Sequence, residues 1–156
     1  MDIPQRKRLR LPADIYAEPG RAFSVTIGTA PRAPVFADLD FGMDCVRLLK
    51  SHCEKTATRC YAYCLMPDHV HLLVGIGERA PLTTFVGTWK SLCGKARRTR
   101  VGSGVFWQRS FFDRALRDDE PIDETALYIL ANPIRAGLAA KLGDYPLAGS
   151  FEFTVP

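Results

Sequence analysis

Long apolar runs are missing from these 156 residues. No stretch reaches the roughly 18–20 residues needed to span a bilayer as a helix, so no membrane partner is expected. The basic start is not followed by the apolar segment of a secretory leader. Cysteine occurs five times, an odd number, and no two stand as Cys-x-x-Cys, which argues against a disulfide framework. A reducing, cytoplasmic location is the expectation. Internal repeats and low-complexity tracts are absent, as is the glycine-rich phosphate loop of ATP-driven enzymes.

Histidine is scarce, at three residues, yet two of them stand two apart in the stretch Cys64-Leu65-Met66-Pro67-Asp68-His69-Val70-His71-Leu72-Leu73-Val74. Apolar segments flank a Pro-Asp pair, the pattern of two strands joined by a tight turn. His69 and His71 then project from one face of the second strand. Two convergent imidazoles are half of a metal site; the same stretch also fits satisfied polar groups on a half-buried strand. His52, Cys53, Cys60 and Cys64 match no familiar zinc spacing, and the cysteines read as ordinary buried thiols.

Residues 1–20 are basic, carry prolines and read as an irregular arm. Ala22–Gly28 alternates apolar and polar residues and predicts a first strand. Asp38 or Asp40 caps a helix running to about Lys55, with Phe41, Cys45, Leu48 and Leu49 on one stripe and His52 at its edge. The paired strands cover about Arg59–Met66 and His69–Ile76. After Pro81, Leu82, Phe85, Val86, Trp89, Leu92, Cys93 and Ala96 mark a second helix with a wide apolar face. Phe111 onward reads as a fourth strand, with Phe112 in the core. A third helix starts near Pro121 and ends at Asn132, because Pro133 disfavours helical geometry before it. Residues 133–156 read as a wrapping tail. The order β-α-β-β-α-β-α predicts a single α+β domain: a four-stranded, mainly antiparallel sheet with helices packed on it.

The net charge of +4 is modest, but its placement is uneven. Arg6, Lys7, Arg8 and Arg10 crowd the N-terminus, and Lys90, Lys95, Arg97, Arg98 and Arg100 crowd the second helix. Both clusters are candidates for phosphate contacts, and Trp107 is a candidate for base stacking. On the third helix, Ile122, Ala126, Ile129 and Leu130 form the core stripe. Tyr128 lies off that stripe, one helical turn before Asn132. Such a pair could face the histidines, with the Asn132 carboxamide oxygen completing a His-His-oxygen site. It also fits a tyrosine at a helix boundary and an asparagine ending the helix before a proline. Asp68 suits the turn, and Asp113 is a weaker candidate for a place near the site.

These blocks carry a resemblance. His69-Val70-His71 on a strand, followed by Tyr128-Ile129-Leu130-Ala131-Asn132-Pro133-Ile134-Arg135-Ala136-Gly137-Leu138, resembles the single-tyrosine HUH transposases. More narrowly it resembles the REP-associated tyrosine transposases, related to the IS200-like insertion-sequence enzymes. Arg8-Leu9-Arg10-Leu11-Pro12 and Phe106-Trp107-Gln108-Arg109-Ser110-Phe111-Phe112-Asp113-Arg114 match as well. The resemblance implies the HUH endonuclease fold, of ferredoxin-like or RRM-like type. It implies Tyr128 as nucleophile and His69, His71 and Asn132 as ligands of a divalent metal ion, Mg²⁺ or Mn²⁺ on donor grounds, with zinc a third option. It also implies a single-stranded or hairpin DNA substrate of REP type, cleaved through a 5′-phosphotyrosine and rejoined. The protein would act as a monomer or homodimer. The chain stops soon after Phe151, without the long basic extension some relatives carry, so weaker hairpin affinity or a need for partners is expected. A replication initiator or relaxase using the same chemistry, and a catalytically silent nucleic-acid-binding module, are the rival expectations.

Overall fold

The computed structural model describes residues 11–156. Its elements follow the chain as α1 (Ala13–Tyr16), β1 (Ala22–Gly28), α2 (Leu39–Thr56), β2 (Arg59–Met66), β3 (His69–Gly75), α3 (Leu82–Val101), β4 (Phe112–Ala115), α4 (Ile122–Leu130), α5 (Asn132–Arg135) and β5 (Ala148–Gly149). The architecture is α+β, built on one antiparallel sheet in the order β4-β1-β3-β2-β5.

The alternating residues of the strands divide the molecule into two layers. Phe23, Val25, Ile27, Leu65, Val70, Leu72 and Val74 point to one face. There they meet Phe41, Cys45 and Leu49 of α2 and Phe85, Trp89 and Cys93 of α3 in the main core. Asp38 caps α2 by accepting from the Phe41 amide, as its short acidic side chain suits. Trp89 is fully buried, and its indole N–H donates to the Cys45 carbonyl at 3.0 Å, which removes the cost of burying that donor. The other face carries a smaller core in which Ala126, Ile129 and Leu130 of α4 cover Ala62, Cys64, Met66 and Leu73.

Several expectations need correction. The sheet has five strands rather than four, because residues 148–149 pair with Cys64 and Tyr63 at the outer edge of β2. A two-residue strand has too few positions to show a period. Residues 13–16 form a helical turn within what reads as an irregular arm. His52 is not at the edge of its stripe but buried, stacked on Phe85 with ring centroids 4.6 Å apart and its Nε2 at 2.9 Å from the Phe85 carbonyl. The third predicted helix is two: α4 stops at Leu130, and Asn132 opens a separate turn with Pro133 in its first positions. Proline lacks only an N–H that a helix start would leave unpaired anyway. Phe112, expected in the core, is 48% exposed, since β4 is an edge strand with one side to solvent.

The end of β3 is locked onto the end of α2. A methyl group at Gly77 would stand 2.2 Å from the Ala57 carbonyl oxygen and 2.5 Å from that of Thr56. Backbone cannot yield there as a side-chain tip would. Gly77→Ala is therefore expected to lower stability by about 1–3 kcal/mol; urea unfolding checks this, and an unchanged midpoint would contradict the close approach.

Candidate active site on the second sheet face

Register places the histidines. In the antiparallel pairing of β1 with β3, Thr26 stands opposite His71 and Gly28 opposite His69, while on the other side Cys64 and Met66 oppose them. Directly opposed residues share a face, so both imidazoles emerge on the side covered by α4. The hairpin turn holding them is fixed at three points. Phe36 N–H donates to the Pro67 carbonyl, and both the backbone N–H and the hydroxyl of Thr29 donate to the Asp68 carbonyl.

The two rings lie 4.8 Å apart, centroid to centroid, with planes at 90°. Each has one nitrogen engaged. His69 Nδ1 is 2.7 Å from Asp68 Oδ1, and His71 Nδ1 is 3.2 Å from Thr26 Oγ1. The hydrogen bond from His69 holds the Asp68 carboxyl below its usual range; burial opposes this, and the charges of His69 and Arg32 add to it. An ionised Asp68 fixes the proton of His69 on Nδ1, so Nε2 is left as the free donor atom. Burial, reinforced by the positive charges of His69 and Arg135, pushes His71 down to about 4, so it is neutral at physiological pH.

The other sequence candidates lie at the α4–α5 junction, on the helix layer that covers this sheet face. Tyr128 is 67% exposed, off the buried stripe of Ala126, Ile129 and Leu130, as its spacing predicts. Asn132 does two things at once. Its Nδ2 donates to the Ile129 carbonyl at 2.9 Å, closing the end of α4. That commitment turns Oδ1 outward, where it accepts from Arg135 Nη2 at 2.9 Å. The Arg135 guanidinium also lies 4.0 Å above the Tyr128 ring and donates to the Tyr128 carbonyl.

Among the described residues no three His, Cys, Asp or Glu side chains cluster for a metal ion. A cation here would therefore need an oxygen donor outside those residue types, and the Asn132 carboxamide is the candidate. The donor set fits one: two imidazole nitrogens and one amide oxygen suit a divalent ion such as Mn²⁺, with Mg²⁺ or zinc as alternatives, and leave positions open for phosphate and water.

The proposed DNA contacts are dispersed. Arg6, Lys7, Arg8 and Arg10 lie outside the described residues. Lys95, Arg97 and Arg98 sit on α3, which packs on the sheet face opposite the histidines; Arg97 is stacked over Phe41 at 5.4 Å. Lys90 turns inward, its ammonium donating to the Gln108 carbonyl at 2.7 Å, and burial lowers its pKa. Trp107 packs among Phe36, Trp89 and Phe106, and its N–H donates to the Lys90 carbonyl.

Two residues have no role in the sequence reading. Gln108 anchors its N–H on the Gly28 carbonyl. A methyl group at Gly28 would come within 2.7 Å of its Oε1, so the bare glycine seats this carboxamide on the histidine face beside His69. Arg135 bridges Tyr128 and Asn132. Its spacing of seven from Tyr128 and three from Asn132 is the one signal the sequence offers.

Comparison with known proteins identifies the family and the fold. Residues 23–132 match the family model for IS200-like transposases, a stretch holding His69, His71, Tyr128 and Asn132. A Haemophilus influenzae protein ascribed to the REP-associated tyrosine transposases is 30% identical over 109 residues, 62% of this chain and 61% of the relative; the chain thus spans about three fifths of that relative's length. Among solved structures, a REP-associated tyrosine transposase bound to a REP hairpin superposes with a TM-score of 0.67 at 17% identity, covering 91% of this chain and 81% of the other. A Deinococcus radiodurans structure ascribed to a transposase gives 0.51 at 18% identity, over 77% and 92%. At these identities the two structures speak for the fold alone.

His71 and His52 are both depressed in the folded state, each chiefly by burial. The unfolded chain takes up those protons first, so the associated stability is present above about pH 6.5 and is lost as pH falls toward 4. Thermal midpoints should drop over that window, and His71→Gln should flatten part of the fall. An equal slope in the variant would contradict the assignment.

Proposed function

The chain belongs to the IS200-like transposase family, and on that premise we propose that it is a single-strand DNA endonuclease and strand transferase with Tyr128 as nucleophile. The observation supporting this most is that the free edges of His69 and His71 and the α4–α5 junction bearing Tyr128 and Asn132 occupy one face of the sheet, with Arg135 close enough to influence His71. The solved relative bound to a REP hairpin suggests the substrate class: an imperfect DNA hairpin with single-stranded flanking bases.

In this reading His69, His71 and Asn132 hold a divalent cation, which when bound polarises the scissile phosphate and stabilises charge developing on its oxygens. Asp68 holds the His69 proton on Nδ1, and Thr26 occupies Nδ1 of His71, so that Nε2 of each ring is the nitrogen left for a ligand. Tyr128 is exposed enough to reach a phosphodiester. Its phenolic oxygen forms a bond to phosphorus while the bond to the 3′ oxygen of the departing strand breaks. The phenolic proton passes to solvent, and the released 3′ oxygen takes a proton, leaving a 5′-phosphotyrosine and a 3′-hydroxyl. Bond energy is conserved in the ester, so the reverse attack rejoins strands without ATP. The exposed cations of α3, and the basic residues of the N-terminal stretch, would hold phosphates away from the reacting centre.

Incubation with a hairpin oligonucleotide carrying single-stranded flanks, in Mn²⁺ or Mg²⁺, is expected to give an adduct that survives denaturing gels. Tyr128→Phe should abolish it while hairpin affinity stays within about threefold, since a hydroxyl alone is removed. EDTA should likewise stop cleavage. An adduct that persists in Tyr128→Phe, or cleavage undiminished by EDTA, contradicts this chemistry; hairpin binding with no adduct under any condition favours the silent binding module. A log–log plot of affinity against salt should fall steeply, and replacing Lys95 or Arg98 by Ala should each reduce the slope by roughly 0.7–0.9. A flat salt response removes α3 from the interface.

A further inference from the structure

Arg135 is the group that joins the nucleophile to the third donor. One guanidinium covers the Tyr128 ring at 4.0 Å, donates to the Tyr128 carbonyl at 2.8 Å and donates to Asn132 Oδ1 at 2.9 Å. Asn132 cannot turn its amide to escape this contact, because Nδ2 is held by the Ile129 carbonyl. The oxygen that the proposed site would offer a cation is thus occupied by a cation already, one supplied by the chain itself. Arg135 is solvent-exposed and sits just beyond the matched family stretch, which ends at residue 132. Its planar fork can exchange a carboxamide for a phosphate, the anion it pairs with best.

We propose that Arg135 is a positioning residue that gates the site: it holds the Asn132 oxygen and the Tyr128 ring at rest, and yields the oxygen to the divalent cation when a DNA phosphate draws the guanidinium away. This rests on the reading of His69, His71 and Asn132 as the cation ligands. Two consequences follow from linkage. Cation affinity without DNA is reduced by the work of displacing Arg135. DNA and the cation then strengthen one another's binding beyond what phosphate ligation alone supplies, because binding of either removes the same obstacle.

The test is Mn²⁺ affinity of the full chain, from the free-ion EPR signal, with and without a short single-stranded oligonucleotide. Arg135→Ala should tighten Mn²⁺ binding in the absence of DNA by roughly fivefold, the scale of one hydrogen bond, and should shrink the enhancement produced by the oligonucleotide. In the Asn132→Ala background the same Arg135 substitution should give no gain, since there is no oxygen left to release. Unchanged or weaker Mn²⁺ binding in Arg135→Ala overturns the gate. So does a gain that persists without Asn132, which would mean plain charge repulsion, and so does an enhancement by DNA that Arg135→Ala leaves intact. Absence of Mn²⁺ binding in the wild-type chain, with or without DNA, overturns instead the metal-site reading on which the gate depends. Thermal midpoints separate these results from misfolding: Arg135→Ala is expected near wild type because Arg135 is exposed, and Asn132→Ala somewhat lower because the bond closing α4 is lost.

Discussion

The antiparallel register of β1 against β3 is the constraint from which the candidate site follows. It sets Thr26 opposite His71 and Gly28 opposite His69. A slip of one residue would turn both imidazoles into the apolar layer beneath α2 and α3 and bring Val70 and Leu72 out in their place. That slip is opposed by the buried Val25, Ile27, Val70 and Leu72 on one face and by the anchored Pro67-Asp68 turn at the strand ends. The polar pair is therefore held in place by apolar burial on the reverse of the same strands.

Local hydrogen bonds refine what register provides. Thr26 and Asp68 take one nitrogen of each ring, Ile129 takes the amide of Asn132, and Gly28 leaves room for the Gln108 carboxamide. Each of these partners is a neighbour in the fold that also serves structure: a strand residue, a turn, a helix end and an edge. The site is an elaboration of ordinary secondary-structure ends. Its exposed groups, Tyr128 and Arg135, are stacked on each other, the arrangement a movable pair needs if it is to be ordered at rest and still free to swing.

Much of this was legible from residue order. The alternation in Ala22–Gly28 and around Pro67-Asp68 gives three strands at their observed bounds or within one residue, because both faces impose a period of two. The stripe of Ala126, Ile129 and Leu130 puts Tyr128 outside, as observed. Illegible features have one physical cause: they are decided by partners distant in sequence. The short β5 exists only because β2 has a free edge, and His52 is buried because Phe85 comes to lie on it. Arg135 resembles any surface arginine until the turn at Ala131 brings it back over Tyr128. The basic residues of α3 read as one cluster but lie behind the sheet from the histidines, so a role near the reacting phosphate does not follow from their charge.

The decisive measurement is a Mn²⁺-soaked crystal read at the metal's anomalous edge. One peak is expected within ligand distance, about 2.0–2.3 Å, of Nε2 of His69, Nε2 of His71 and Oδ1 of Asn132, with Arg135 displaced from that oxygen. A well-occupied peak elsewhere, with the imidazole pair bare and Arg135 still on Asn132, would contradict it.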